Sequence, residues 1–462
     1  MSKKLLKAVL LAVCILSLAA LTLIGCKEAA EEVEEAAEEV VEEAAEEVEE
    51  AAEEVAEEAP ADITLNILET VESHGYALVE LGKIYEEMTG VKVVVEQFPY
   101  EPTYEKEVLV LSGGGSDYDL MAYDCIWGQF FMMNGWLHEI DSFVADPDLP
   151  DVDFDSFATA PGFRSREGVN YGVPIDLTSP IMAYRKDMLE DAGLEGPPET
   201  WEEFAEYAEK LTKDTDDDGE IDQYGVVFHF GGPDSGFTDW IIRMSGYDLP
   251  PGESDFVINS DNTKSIFADH DYSTEAIEMI LDIKEFAPPG AIGYDYPEAS
   301  EAFNQGQAAM FITWQVFFFE AEDPEKSAVA GKLGYAPYPI ATSQHNYVGG
   351  WQLGIPANSM YPEEAYKFLA WVASAEGQEL MLENGSPTAY RKEALSDPDW
   401  IEKYPVMGAM GELNPIPLPL LPEFVEMQLI CFENVGLAVA EQITPEEAVE
   451  RAASETDAIL GQ

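Results

Sequence analysis

Residues 61–124 alternate between two hydrophobic periods, and few folds accommodate that alternation. "ADITLNIL" (61–68) sets apolar residues at every second position, the pattern of a two-faced strand. "YALVELGKIYEEMTG" (76–90) shifts to helical spacing and ends at Gly90, a residue suited to closing a helix. "VKVVVEQFP" (91–99) reads as a second strand, "EKEVLVLSGGG" (105–115) as a helix running into glycine, and "YDLMAYD" (118–124) as a third strand. Strand, helix, strand, helix, strand predicts an α/β fold with a mostly parallel sheet flanked by helices. Ligands of such sheets gather beyond the carboxyl ends of the strands, which here points to the loops near Glu72, Asp124 and Trp127.

The segment ahead of this body has another character. Lys3, Lys4 and Lys7 precede an apolar stretch, 8–25, broken only by Ser17 and Thr22. A basic front followed by an apolar middle describes a secretion signal. The alternative is an uncleaved membrane helix, since about 18 apolar residues is the lower edge of a bilayer span. Leu23-Ile24-Gly25-Cys26 resembles the lipobox of bacterial lipoproteins, although Ala or Ser is commoner at the Ile24 position. The resemblance implies a signal peptide over 1–25, lipid on the Cys26 sulfur, and a mature chain outside the cell membrane, in the periplasm or at the cell surface. Two acyl chains on one residue suffice as an anchor without a membrane span. A spacer then fills 26–60. Between Glu28 and Pro60 it holds 17 Glu and no Lys or Arg. Val33, Val40, Val48 and Val55 recur near helical-face spacing, so a coiled coil is one reading. Repulsion at every i,i+4 charge pair favours the other, a self-repelling linker, about 50 Å long if fully helical.

Residues 61–462 are too many for a usual single core and predict two lobes. They carry 19 Lys and Arg against 75 Asp and Glu, a balance of −56 within a chain total of −69. Such an excess argues against nucleic acid, acidic membrane surfaces and polyanions as partners. Cys125 and Cys431 are the only mature cysteines besides Cys26, so there is no disulfide framework, though the two could pair.

Several longer phrases carry a resemblance. "GKIYEEMTGVKVVVE" (82–96), "YGVPIDLTSPIMAYRKDMLEDAGLEGPPETWEEF" (171–204), "AFNQGQAAMFITWQ" (302–315), "VGGWQLGIPANSMYPEEAYKFLAWVASAEGQELM" (348–381) and "GSPTAYR" (385–391) are similar to extracellular solute-binding proteins of ABC importers. The maltose/oligosaccharide-binding group is the nearest, and the likeness follows that group's order over nearly all of 61–462. It implies a two-lobed periplasmic-binding-protein-like fold of type II whose chain crosses three times, near 174–177, 347–351 and 386–390. Lobe one is then 61–175 plus 350–387, and lobe two 176–349 plus 388–462. It further implies a monomer without catalytic activity that encloses a neutral solute, a mono- or oligosaccharide, by hinge closure and delivers it to a membrane permease.

The same resemblance suggests where the solute sits. Trp314 falls where the family phrase "G-x-A-A-M…W" commonly places a stacking ring. Trp351, after Gly349-Gly350, falls at a crossing, and Asp176 lies inside the first one. Asp124 and Trp127 match a hydroxyl-accepting carboxylate and a ring, and Glu72 an N-terminal polar contact. Arg391 fits "P-x-x-x-R", and Trp240 in "GFTDWIIRM" (236–244) is a further candidate. Core packing is the alternative at each Trp, a turn role at Asp124 and a structural salt bridge at Arg391.

One motif stands apart from the family. "DTDDDGEID" (214–222) places carboxylates at positions 1, 3, 5 and 9 of a loop, with Gly219 at position 6 for the sharp turn. That is the spacing of a calcium loop, with Asp214, Asp216, Asp218 and Asp222 as ligands and Glu220 lending its backbone carbonyl. Position 12 is Gly225 instead of the bidentate Glu of an EF-hand. A helix (200–213) precedes the loop and a strand (224–230) follows, which predicts a structural Ca2+ staple. A solvated acidic turn is the alternative. Zinc spacing, a P-loop Lys and a Gly-x-Ser-x-Gly motif are all missing. Two rival functions stay open on sequence: a lipid-anchored glycoside hydrolase using some carboxylate pair, and a binder of polyamines or other cations.

Overall fold

The structure is a computed structural model and describes residues 63–158, 163–165, 167–410 and 415–461. The expected signal segment, Cys26 and the spacer lie outside the described residues. No described helix is long and apolar enough to cross a membrane.

From β1 (Thr64–Thr70) the chain forms α1 (Ser73–Thr89), β2 (Lys92–Phe98), α2 (Tyr100–Gly113), β3 (Leu120–Asp124) and α3 (Cys125–Met133). The expected alternation is present, with α1 closed at Gly90 and α2 starting several residues ahead of its apolar run. β4 (Gly172–Pro174) follows. Next come β5 (Pro180–Arg185), α4 (Trp201–Leu211), β6 (Tyr224–Val227), α5 (Pro233–Met244), α6 (Tyr272–Ile283), α7 (Tyr296–Asn304), β7 (Ala308–Trp314) and β8 (Leu333–Ala336). The remainder is β9 (Asn346–Val348), β10 (Trp351–Gly354), α8 (Pro362–Val372), α9 (Ala375–Glu383), β11 (Pro415–Pro417), α10 (Phe424–Val439) and α11 (Pro445–Leu460).

Two main sheets result. The first runs β2-β1-β3-β10-β4, with β1 parallel to both β2 and β3 and β10 antiparallel to β3 and β4. The second runs β6-β7-β5-β8, and a two-stranded ribbon joins β11 to β9. β3, β5 and β7 are apolar almost throughout and almost wholly buried, as strands covered on both faces should be. β2 sits at an edge and alternates between exposed and half-buried positions.

The chain leaves the first sheet at Pro174 and enters the second at Pro180, and Thr178 bridges Gly349 on the return crossing. Gly350 has φ of +141°, and a Cβ there would stand 2.4 Å from the Asp176 carbonyl oxygen. Only glycine lets the two crossing segments run in contact. Beyond α9 the chain packs against residues 155–157. Arg391 bridges Phe157, and Lys392 Nζ donates to the Asp155 carbonyl.

Candidate functional site

A cavity of about 400 Å3 opens between the two lobes, at the carboxyl ends of β1, β2 and β3 on one side and of β7 on the other. Glu72, Tyr100, Asp124 and Trp351 form its first wall. Asp124 ends β3 and caps α3, its Oδ1 accepting from the Ile126 amide at 3.3 Å, while Tyr100 donates to Oδ2 at 3.0 Å. The β10–β3 register sets Trp351 directly opposite Asp124. The second wall holds Asp234, Tyr296, Trp314 and Phe317. Tyr296 donates to Asp234 Oδ2 at 2.7 Å, and Gln428 Nε2 donates to Oδ1 at 2.6 Å. Trp314 Nε1 in turn donates to Tyr296 Oη at 3.1 Å, and the Tyr296 ring stacks on Phe317 with centroids 4.6 Å apart. Each wall thus presents a carboxyl fixed by a tyrosine, set among ring faces.

Burial dominates the titration of these carboxyls because it disfavours their charged forms. It pushes Glu72 up to about 8, against the neighbouring His74, which lowers it. It pushes Asp124 up to about 7, reinforced by Asp234 across the cavity. Asp234 itself is pushed up to about 6, held down in part by the Tyr296 and Gln428 hydrogen bonds.

Behind the first wall lies a buried cluster. His74 Nε2 is 2.9 Å from Glu69 Oε1, and its Nδ1 is 3.5 Å from Asp176 Oδ2 and 3.7 Å from Glu72 Oε2. The His74, Glu69 and Asp176 side chains are wholly buried, and the contacts are ion pairs by distance without the alignment of good hydrogen bonds. Burial alone would lower the imidazole, but the Glu69 and Asp176 carboxyls hold it well above its ordinary range. Its ring lies 5.3 Å from that of Trp351, so the cluster backs the cavity wall and touches the first crossing at once.

Four residues expected at the site stand elsewhere. Trp127 is buried behind the wall, edge-on to Trp351 at 5.3 Å and packed on Tyr100 and Tyr104; it supports the lining without joining it. Asp176 faces His74 and not the cavity. Trp240 is a core residue, fully buried, donating to the Ser273 carbonyl at 2.9 Å, because α5 is enclosed on nearly every side. Arg391 fastens the end of lobe one, donating from Nη1 to the Ala373 carbonyl at 3.0 Å. The structure brings Glu72, Asp124, Trp314 and Trp351 together around one cavity. Tyr100, Asp234 and Tyr296 were not foreseen. The rule that found Asp124, inspecting the loop beyond a strand's carboxyl end, would have found Asp234 had it been applied to β6.

The acidic loop is exposed and does not line the cavity. Asp214, Asp216 and Asp218 bring carboxylate oxygens within 4.8 Å of one another, and Gly219 takes the left-handed turn at φ of +97°. Asp222 is engaged otherwise, its Oδ2 accepting from Thr215 N and Oγ1 at 2.8 Å each. Glu220 contributes an amide to Asp218 Oδ1 at 2.8 Å. Cys125 and Cys431 are separate buried thiols.

Residues 69–379 match the model of the bacterial extracellular solute-binding protein family. The chain belongs to that family. Its members are substrate-binding components of transport systems and not enzymes, which removes the glycosidase reading. A probable amino-acid ABC transporter periplasmic-binding protein of Sinorhizobium fredii is 24% identical over 391 residues, covering 80% of this chain and 83% of its own. The erythritol/L-threitol-binding protein of Mycolicibacterium smegmatis is 23% identical, covering 70% and 69%. Among solved structures, a solute-binding protein from Agrobacterium radiobacter K84 in complex with ribitol superposes with a TM-score of 0.74 at 27% identity, covering 87% of this chain and all of that one. The binding protein is accordingly extracytoplasmic, with two lobes and the cavity between them.

Proposed function

We propose that the binding protein captures a polyhydroxylated solute, a mono- or oligosaccharide or a sugar alcohol, and delivers it to an ABC permease. The observation that carries this is the inter-lobe cavity itself. Sugars present apolar C–H faces and hydroxyl edges, and the cavity sets the Trp314 and Trp351 rings beside the Asp124 and Asp234 carboxyls. The ligands named for the erythritol/L-threitol-binding relative and the ribitol complex point the same way. Closure of the lobes would bring the two walls onto one guest. The protein would work as a monomer, moored through lipid on Cys26 with the Glu-rich segment as spacer.

A thermal-shift screen over sugars, alditols and polyamines tests this. A solute bound only by the folded state at 100 times its Kd stabilises by about 2.7 kcal/mol and raises Tm by several degrees. If no sugar or alditol moves the transition, the reading fails. The same plate, run with Ca2+ and with chelator, tests a calcium staple at Asp214, Asp216 and Asp218. Bound Ca2+ would relieve the repulsion of the clustered carboxylates, so chelation is expected to lower Tm. An unchanged Tm would show the loop to be a solvated turn.

A further inference from the structure

Donors and acceptors are unevenly divided around the cavity. Glu72, Glu101 and Asp124 line it from the first lobe, and Asp234, Asp295 and Glu298 from the second. Among the described residues, no Lys, Arg or His lines it. Three of the wall's side-chain donors are already committed within the wall: Tyr100 to Asp124, Tyr296 to Asp234, and Trp314 to Tyr296. Thr178, which is 7% exposed, lines the cavity with a buried hydroxyl that has no partner among the described residues.

This inventory suits one kind of guest better than another. A hydroxyl both donates and accepts, so a wholly neutral polyol needs wall donors to match its acceptors. An ammonium donates three times and accepts nothing. Asp124 and Asp234, once ionised, repel as the lobes approach unless a cation lies between them, and the lining side chains of the described residues supply none. The ring faces add to this. Tyr100, Tyr296, Trp314 and Trp351 line the same cavity, and aromatic rings attract cations.

We propose that the solute is a polyhydroxylated amine, an amino sugar or amino alditol whose ammonium sits between Asp124 and Asp234 while a hydroxyl reaches Thr178. This rests on the reading of the cavity as a site for polyhydroxylated solutes and adds a charge to it. Burial pushes both aspartates upward, as expected of acids whose counter-ion arrives with the ligand.

Titration calorimetry at neutral pH on matched pairs decides the matter. The pairs are glucosamine with glucose, galactosamine with galactose, and 1-amino-1-deoxysorbitol with sorbitol, with spermidine alongside. The aminated member of the best-bound pair is expected to bind about 10-fold tighter or more, the effect of one charge-assisted hydrogen bond. Asp124→Asn and Asp234→Asn, each checked for an unchanged circular dichroism spectrum, are expected to bring that ratio toward one. Equal or tighter binding of the neutral members overturns the charge and leaves the proposed solute class standing. Spermidine binding without either member of any pair overturns the solute class and the amino sugar with it. No binding at all overturns both.

Discussion

Replacing His74 with Ala is expected to lower the unfolding free energy by about 3–5 kcal/mol, the cost of removing one partner from a buried ionic cluster. Glu69 and Asp176, both wholly buried, would face each other's surroundings with no cation between them. Asp176→Asn should cost less, since His74 keeps Glu69 at 2.9 Å. Denaturant melts of the two variants check the order, and equal small losses for both would show the cluster to be energetically idle. The pH dependence has a definite sign. The folded imidazole titrates well above its ordinary 6.5, so its stabilisation is whole below that value and drains as pH rises through the folded pKa. Glu72 and Asp124 are also raised on folding, to about 8 and about 7. What they contribute is whole below about pH 4 and is lost as pH rises toward 8. Ligand-free protein is therefore expected to lose stability steadily from mildly acid to mildly alkaline pH, and His74→Ala to remove the alkaline part of that slope.

The second large effect concerns Trp314. Its ring lines the cavity while its Nε1 holds Tyr296, which in turn holds Asp234. Trp314→Ala removes the platform and loosens the carboxyl behind it. The tightest-binding solute should weaken about 100-fold, roughly 2.7 kcal/mol, within the range of a central aromatic contact. Trp314→Phe keeps a ring but loses the Nε1 donor, so it should fall between. Full affinity in Trp314→Ala would falsify the placement of the stacking face.

What the sequence disclosed depended on range. Strand and helix periods are local, so the alternation over 61–124 was readable residue by residue, and the parallel β2-β1-β3 part of the first sheet followed from it. The aromatic and acidic types at the ends of β3 and β7 were readable for the same reason. Trp240 misled because a tryptophan's type says nothing of its neighbours. Yet Phe237, Trp240, Ile241 and Met244 fall at helical spacing, which marks a stripe of core. Asp176 misled more instructively. It does lie at the crossing, but its carboxyl turns toward His74, and a histidine contact over a hundred residues away leaves no local trace. The pairing of Asp124 with Tyr100 and of Asp234 with Tyr296 was equally hidden, because folding brings those partners together from separate segments.

Amide hydrogen exchange with and without the tightest-binding sugar, alditol or amino sugar tests the two-walled site most directly. Protection is expected together in 70–72, 99–101 and 124–126 of one lobe and in 232–236, 295–298 and 314–318 of the other, with little change in the 214–222 loop. Protection confined to one lobe, or centred away from these segments, would contradict a solute held between both walls.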